Sequence, residues 1–408
     1  MKTYKLREIT KTIVDGKHGD CIPDEDSGYY FISCKNIHDG MIDYNNARQI
    51  EYNSFVEAFK RTALQASDIL ITNSGTIGRM AFVQKSDKVE KTAFQKSVAV
   101  VRPDTSIIDA KYLYYDIQNC IGRMAELSNG SAQKNLLLST MREFDIDIHT
   151  DLPTQHRIAS ILSAYDDLIE NNRRQIKLLE EAAQRLFREW FVELRFPGHE
   201  NVKIVDGVPE GWKAETVGNV CSTIGGGTPS TKEKSYYEGG NIPWVTPTDI
   251  THNGCLILLE TEKKITKEGL AHSSAKMVPA WTILMTSRAS VGYFGMCEFP
   301  VCTNQGFISC IPYQENMRFY LLHNLMNRVD EIRAKAGGST YLEISKSTFR
   351  DMKIIVPADE ILNLFEESIQ KLMMKTKNCK EQIGILTSAR DRLLPKLMSG
   401  EMEVFYDG

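Results

Sequence analysis

From Pro153 to about Leu194 apolar residues return at intervals of three and four: Ile158, Ile161, Tyr165, Leu168, Ile176, Leu179, Ala183, Leu186 and Trp190. That spacing predicts one long amphipathic helix with a coiled-coil stripe, interrupted by the polar Asn172. Pro153 suits a first helical turn and Pro197-Gly198 a stop. At about 1.5 Å per residue such a helix is on the order of 60 Å long. A second stripe runs from about Asp359 to Leu394 through Ile361, Phe365, Leu372, Cys379, Ile383, Leu386 and Leu393, with Pro395 and Gly400 ending it. Each stripe is too apolar to leave in water, and pairing the helices antiparallel covers both. Two unrelated helices, each packed on its own domain, are the alternative. Matched residues disfavour it: Gln175-Ile176, Leu179, Ala182 and Arg185-Leu186 against Gln382-Ile383, Leu386, Ala389 and Arg392-Leu393.

Ahead of each helix the period shortens. Tyr29–Ser33, Ser67–Thr72 and Lys96–Val101 read as strands, and Ala110–Glu126 as a helix with Leu113, Tyr114, Ile117 and Ile121 on one side. The second half answers the first. Phe31-Ile32-Ser33 corresponds to Trp244-Val245-Thr246, Ile69-Leu70-Ile71-Thr72 to Ile283-Leu284-Met285-Thr286, and Gly78 to Gly292. Ser139-Thr140-Met141-Arg142-Glu143 returns as Ser347-Thr348-Phe349-Arg350-Asp351, with Gly130-Ser131 and Gly338-Ser339 the same distance before. The expected fold is α+β and pseudo-two-fold symmetric. Two globular mixed α/β domains (1–152 and 198–357) are joined by two long antiparallel coiled-coil helices (153–197 and 358–408, the latter with a tail). A duplicated unit implies two equivalent sites, and duplex DNA is a common target with two equivalent halves.

Composition narrows the function classes. A chain of 408 residues, 42% hydrophobic and 25% charged, can bury a sizeable core. The net charge of −4 speaks against a wholly basic nucleic-acid binder but leaves room for a local basic groove. Nine cysteines without a Cys-x-x-Cys pair make a zinc site unexpected and suggest reduced thiols in a cytoplasmic protein. The first residues lack the apolar core of a signal peptide, and no apolar run approaches the roughly 20 residues of a membrane span. No phosphate loop, Gly-x-Ser-x-Gly elbow, His-Glu-x-x-His helix or Asn/Asp-Pro-Pro-Tyr motif occurs. Gly225-Gly226-Gly227-Thr228-Pro229 precedes turn residues and reads as a turn or a close approach of backbone. These absences argue against an enzyme.

What remains is polar loop chemistry at matching places. Strand Ile69–Ile71 runs into a loop holding Ser74, Thr76 and Arg79, and Ile283–Met285 into one holding Ser287 and Arg288. Hydroxyls, glycine and arginine can meet phosphates or base edges; ordinary surface turns are the plainer reading, weakened by the recurrence. Gln133, Lys134 and Asn135 match a segment with Ser339 and Tyr341, where amides can bridge an adenine edge and Lys can meet a phosphate. Lys35 and Asn36, against Thr246 and Thr248, form a third pair, for which turn capping is at least as good an account.

The pattern resembles the specificity subunits of type I restriction–modification systems. Gly226-Gly227-Thr228-Pro229-Ser230-Thr231, Gly240-Asn241-Ile242-Pro243-Trp244-Val245, and Ile283–Thr286 leading to Val291-Gly292 look like the opening of a target-recognition domain. Gly337-Gly338-Ser339-Thr340 with the Ser-Thr-Phe-Arg segment resembles its end. Leu152-Pro153-Thr154-Gln155-His156-Arg157-Ile158 and Leu394-Pro395-Lys396-Leu397-Met398-Ser399-Gly400-Glu401 resemble the start of one spacer helix and the end of the other. The first half departs from the pattern, with Asp15-Gly16-Lys17-His18-Gly19-Asp20 in place of Gly-Gly-Thr-Pro, which suggests a different half-site specificity. The resemblance implies a non-catalytic subunit whose two domains each bind half of a split double-stranded DNA target. Its helices would set the gap and dock two methyltransferase subunits, which restriction subunits join. It binds no cofactor itself; S-adenosylmethionine, ATP and Mg2+ belong to the partners. Tyr165, Phe187, Trp190 and Phe191 are candidates for the partner interface, with burial in the helix pair as the competing account. A coiled-coil scaffold that reads no DNA is the alternative function.

Overall fold

The computed structural model describes residues 1–128, 134–338 and 341–404. Packing divides the chain into two units: Met1–Leu168 with Ile385–Gly408, and Ile169–Gly384. This division cuts across the boundaries 1–152, 153–197, 198–357 and 358–408, because each long helix contributes one end to each unit's core.

The two units repeat one topology. In the first, a four-stranded sheet has the order Thr10–Asp15, Val98–Pro103, Ile69–Thr72, Met80–Phe82. In the second, Cys221–Gly225, Phe307–Pro312, Ile283–Thr286 and Phe294–Cys297 follow the same order, and Ile257–Leu258 adds a parallel edge. Beside each lies a smaller sheet in which a parallel pair is flanked by an antiparallel strand: Tyr30–Ile32 with Thr92–Phe94 and Arg48–Gln49, then Ile242–Val245 with Val301–Thr303 and Lys263–Ile265. The central strands Ile69–Thr72 and Ile283–Thr286 are buried throughout, which explains their unbroken apolar runs. The helix Ala110–Glu126 matches its expected bounds, capped by Asp109, whose carboxylate accepts the Tyr112 N–H at 2.8 Å. The strand expected to begin at Lys96 begins at Val98, leaving Lys96 and Ser97 in the preceding turn.

The long helices are Leu152–Phe187 and Asp359–Met398. Within the second unit Cys379 lies against Gln175 and Phe365 against Phe187; within the first, Arg390 bonds Asp166 and Leu397 O lies against His149. In each unit rising numbers on one segment meet falling numbers on the other, so the pairing is antiparallel. Buried Leu162, Ile169, Ile176 and Ala183 form a heptad series, answered by Leu362, Ile369 and Thr376. This register differs from the expected one: Leu168, placed on the seam, is half exposed, and Ile169 takes its place. Asn172 does sit buried in the stripe. Pro395 does not end the second helix, which continues to Met398. The proline leaves the Asp391 carbonyl without its intrahelical donor, and burial of Leu394, Leu397 and Met398 in the first unit's core holds the turn nonetheless. Among the described residues no helix is long and apolar enough to cross a membrane.

One buried group makes stability depend on pH. Asp116 is buried in the helix Ala110–Glu126, and its Oδ2 has no hydrogen-bond partner. Burial, reinforced by Asp147, pushes its carboxyl up to about 8. The folded form therefore holds a proton that the unfolded chain releases. The stability is fully present below the ordinary carboxylate range near roughly 4 and is lost as pH rises through the folded value. The equivalent residue of the second unit is the neutral Asn324. Asp116→Asn is expected to flatten the first unit's stability profile between roughly pH 4 and 8. Denaturant titrations across that range check this, and a profile matching the unsubstituted chain would refute it.

Candidate nucleic-acid interface

In the first unit four loops are drawn together by backbone hydrogen bonds. Strand Ile69–Thr72 leads into residues 73–79, and Thr72 closes that loop. Its N–H donates to Arg79 O (2.8 Å), its Oγ1 accepts from Arg79 N–H (2.9 Å), and its carbonyl accepts from Gly78 N–H (2.9 Å). Asn73 N–H donates to Ser97 O (3.0 Å), and Asn73 O accepts from Leu136 N–H (2.8 Å), next to the antiparallel bridge between Ser74 and Asn135. Cys34 N–H donates to Ser97 Oγ (3.1 Å), bringing in the turn after strand Tyr30–Ile32.

The second unit repeats all of these bonds but the last, with different side chains; Pro247 and Gly306 stand where Cys34 and Ser97 do. Thr286 N–H donates to Tyr293 O (2.9 Å), Thr286 Oγ1 accepts from Tyr293 N–H (2.9 Å), and Thr286 O accepts from Gly292 N–H (2.8 Å). Ser287 N–H donates to Gly306 O (2.8 Å), Ser287 O accepts from Ile344 N–H (3.1 Å), and Arg288 bridges Glu343. Gly78 and Gly292 take φ of 89° and 84°, the left-handed region in which a Cβ is strained.

The openings of the two units correspond as well. A Cβ on Gly226 would stand 2.1 Å from Thr303 O, and Gly227 N–H donates to that carbonyl at 2.9 Å. A Cβ on Gly16 would stand 2.1 Å from Phe94 O, and Lys17 N–H donates to it at 2.7 Å. Asp15-Gly16-Lys17 thus performs the close approach for which the second half uses its glycine run, with the one glycine the geometry requires.

Several expected residues are presented to solvent on these loops. Lys35, Thr76, Arg79 and Lys134 are exposed in the first unit, and Thr248, Arg288 and Tyr341 in the second, while Ser74 and Asn135 are half-buried at their bridge. Three are corrected to positioning roles. Asn36 is buried; its Oδ1 accepts from Ser33 N–H (3.1 Å) and its amide donates to Asn46 O (3.1 Å), so it caps a turn. Thr246 is held the same way, its N–H and hydroxyl donating to Asp249 Oδ2 at 2.7 and 2.6 Å. Ser287 is buried beneath the loop it begins. Gln133 and Ser339 lie outside the described residues. Arg79 and Arg288 are not counterparts: Arg79 occupies the place of Tyr293, and Arg288 that of Ser74.

Sequence reasoning missed Lys96 and Gln305, both exposed on the turns beneath which Ser97 and Gly306 bond the neighbouring loop. The signal was present in Phe94-Gln95-Lys96-Ser97 and Thr303-Asn304-Gln305-Gly306, polar segments standing just before equivalent strands. The loops of the first unit expose Lys35, Arg79, Lys96 and Lys134, cations suited to phosphate oxygens. At the tip of the second unit Arg288 instead faces Glu343 at 3.7 Å.

The candidate partner contacts separate by burial. Phe187 is fully packed in the second unit's core, against Tyr320, His323 and Phe365, and cannot meet a partner. Trp190 and Phe191 are half-buried against the same core, and Tyr165 is half-buried on its helix.

Two segments, 4–181 and 209–380, match the family described as Type I restriction modification DNA specificity domain. The MjaIX specificity subunit of Methanocaldococcus jannaschii is 27% identical over 351 residues, covering 82% of this chain and 78% of that one. The HindI specificity subunit of Haemophilus influenzae is 26% identical over 411 residues, covering 84% and 88%. In fold the chain is similar to the crystal structure of a type I restriction–modification S subunit from M. genitalium, with a TM-score of 0.58 and 16% identity over 99% of this chain and 96% of that one.

Proposed function

The chain belongs to the type I restriction modification DNA specificity family, and from that premise we propose that each unit reads one half of a bipartite, asymmetric DNA site. The sequence-specificity role is that of the family; the division into half-sites is carried by one observation. Both units hold their loops in one backbone frame while the side chains on those loops differ. Equal frames present the loops alike to two stretches of duplex, and unequal side chains make the two stretches different words.

Lys35, Arg79, Lys96 and Lys134 supply sequence-independent attraction to phosphates, and Ser74, Thr76, Asn135, Thr248, Arg288 and Tyr341 supply the contacts that distinguish bases. The partners on this reading are two methyltransferase subunits, docked along the paired helices, and the restriction subunits that join them. S-adenosylmethionine, ATP and Mg2+ act in those partners. The chain itself positions and selects.

The test uses the chain purified with its methyltransferase subunits. Mapping methylated bases in a host that carries them should yield a split motif with a fixed gap. Duplexes bearing that motif should bind with affinity that falls as salt rises, with a log–log slope of about −0.9 per phosphate neutralised. Arg79→Ala should weaken binding across sequences and shrink that slope by about 1. Equal binding to scrambled duplex would instead indicate a scaffold that reads no DNA.

A further inference from the structure

Glu343 is out of place on a surface that meets DNA. A carboxylate at a loop tip is repelled by the phosphate backbone and can only accept hydrogen bonds. Its backbone is nonetheless fixed in both directions: Glu343 N–H donates to Gly337 O (2.8 Å) and Glu343 O accepts from Gly337 N–H (3.0 Å). The next rung is fixed too, with Ala289 N–H donating to Leu342 O (2.9 Å). Arg288 stands across the antiparallel bridge, its Nε 3.7 Å from the Glu343 carboxylate, and its guanidinium lies 5.9 Å from the Tyr341 ring centroid. The two side chains are 45% and 49% exposed, so the ion pair contributes little to stability. The fixed backbones carry a forked donor beside an acceptor, both turned to solvent.

On the half-site reading above, we propose that Arg288 and Glu343 together read one G·C base pair in the major groove of the second unit's half-site. Guanine offers O6 and N7, two adjacent acceptors that match the arginine fork, and its paired cytosine offers the N4 amino group, a donor that a carboxylate accepts. The pair therefore mirrors the acceptor–acceptor–donor order along that edge. An A·T pair fits less well, because its two acceptors, adenine N7 and thymine O4, are separated by the adenine amino donor, so the fork can match only one of them. Glu343 also excludes a phosphate from the same spot, which separates base reading from backbone binding. In the first unit the same bridge holds Ser74 and Asn135, with no charged pair, so the preference belongs to one half-site only.

The experiment takes the complex with methyltransferase subunits and duplexes carrying the mapped split motif, each with one base pair replaced. The unsubstituted complex should lose roughly 5- to 150-fold in affinity when one particular G·C pair of one half becomes A·T, from the typical value of a bidentate base contact. Glu343→Gln and Arg288→Gln should each erase most of that discrimination at that pair and leave the other half-site's discrimination intact. Both residues are exposed, and thermal unfolding of each variant checks that folding is unaffected. The assignment is overturned if both variants discriminate as before, if the loss is uniform over all duplexes, or if neither half of the motif contains a G·C pair. Absence of any split motif would overturn the half-site reading itself, and this assignment with it.

Discussion

Phe187→Ala is expected to cost about 3–5 kcal/mol of folding stability, the usual range for removing a buried aromatic ring. The ring is 2% exposed and is surrounded by Phe191 (5.3 Å between centroids), Tyr320 (5.9 Å), His323 (6.1 Å) and Phe365 (6.2 Å). Phe365 comes from the other long helix, and Tyr320 and His323 from the helix Arg318–Asn327. One ring therefore joins three helices, and its loss leaves a cavity that no single neighbour can fill. The cost is raised by His323, whose ring nitrogens have no hydrogen-bond partners and whose burial lowers its pKa to about 4. Water admitted to the cavity would favour the charged ring and loosen the site further. Hydrogen exchange on the full chain should show the loss in the helix Arg318–Asn327 and the adjoining parts of both long helices. A change below about 1 kcal/mol would mean that the ring is not part of the core.

Asp68→Ala is expected to have a comparable effect, about 3–5 kcal/mol, because it strands a partly buried arginine. The Asp68 carboxylate accepts from Arg102 Nε and Nη2, both at 2.8 Å, and from Gln65 N–H at 2.8 Å. Arg102 Nη2 also reaches Ala63 O at 2.9 Å, tying the segment before strand Ile69–Thr72 to strand Val98–Pro103. The second unit supplies the control. The equivalent positions are Thr282, whose hydroxyl donates to Pro279 O at 2.7 Å, and Ile311, with no ion pair between them. Replacing both partners together by Asp68→Thr and Arg102→Ile should therefore recover most of the loss. Denaturant titration of the single and double variants decides it: a double variant no more stable than Asp68→Ala would mean that the pair is irreplaceable in its own frame.

The long elements were legible in the sequence because their periodicity is sustained. The helix Ala110–Glu126 was read to its ends, and the matched strands were found at Ile69 and Ile283. The stripe on the first long helix was found but set one residue off at Leu168, because neighbouring apolar residues fit a 3.6 period almost equally and only the partner helix chooses between them. Loops were legible as pairs across the two halves, since repetition marks them; that the bridges Ser74–Asn135 and Arg288–Glu343 join two such loops within each unit was not. Which side chains face outward was legible only in part. Asn36 and Thr246 cap turns through Ser33 and Asp249, three residues away, which is the competing account their sequence already offered. Ser287 is buried where its backbone bonds Gly306 and Ile344, segments that the sequence does not show to be adjacent. The equivalence of Gly16 with Gly226 was hidden because this is the one glycine that the geometry demands in both units: the next position is Lys17 in the first, whereas in the second a Cβ on Gly227 would stand 2.4 Å from Ala275 N.

Each unit is fastened by a pair of strands at its margin, Lys2–Lys5 against Asp145–Ile148 and Lys213–Thr216 against Lys353–Val356, both antiparallel. The point where the chain goes into a loop-bearing domain therefore lies beside the point where it comes out, about 4.8 Å away across one strand spacing. A segment with adjacent ends can be excised and another inserted between the same two ends without moving either long helix. Such a domain is a cassette: exchanging it between its margins would change the loops it presents while leaving both long helices in place.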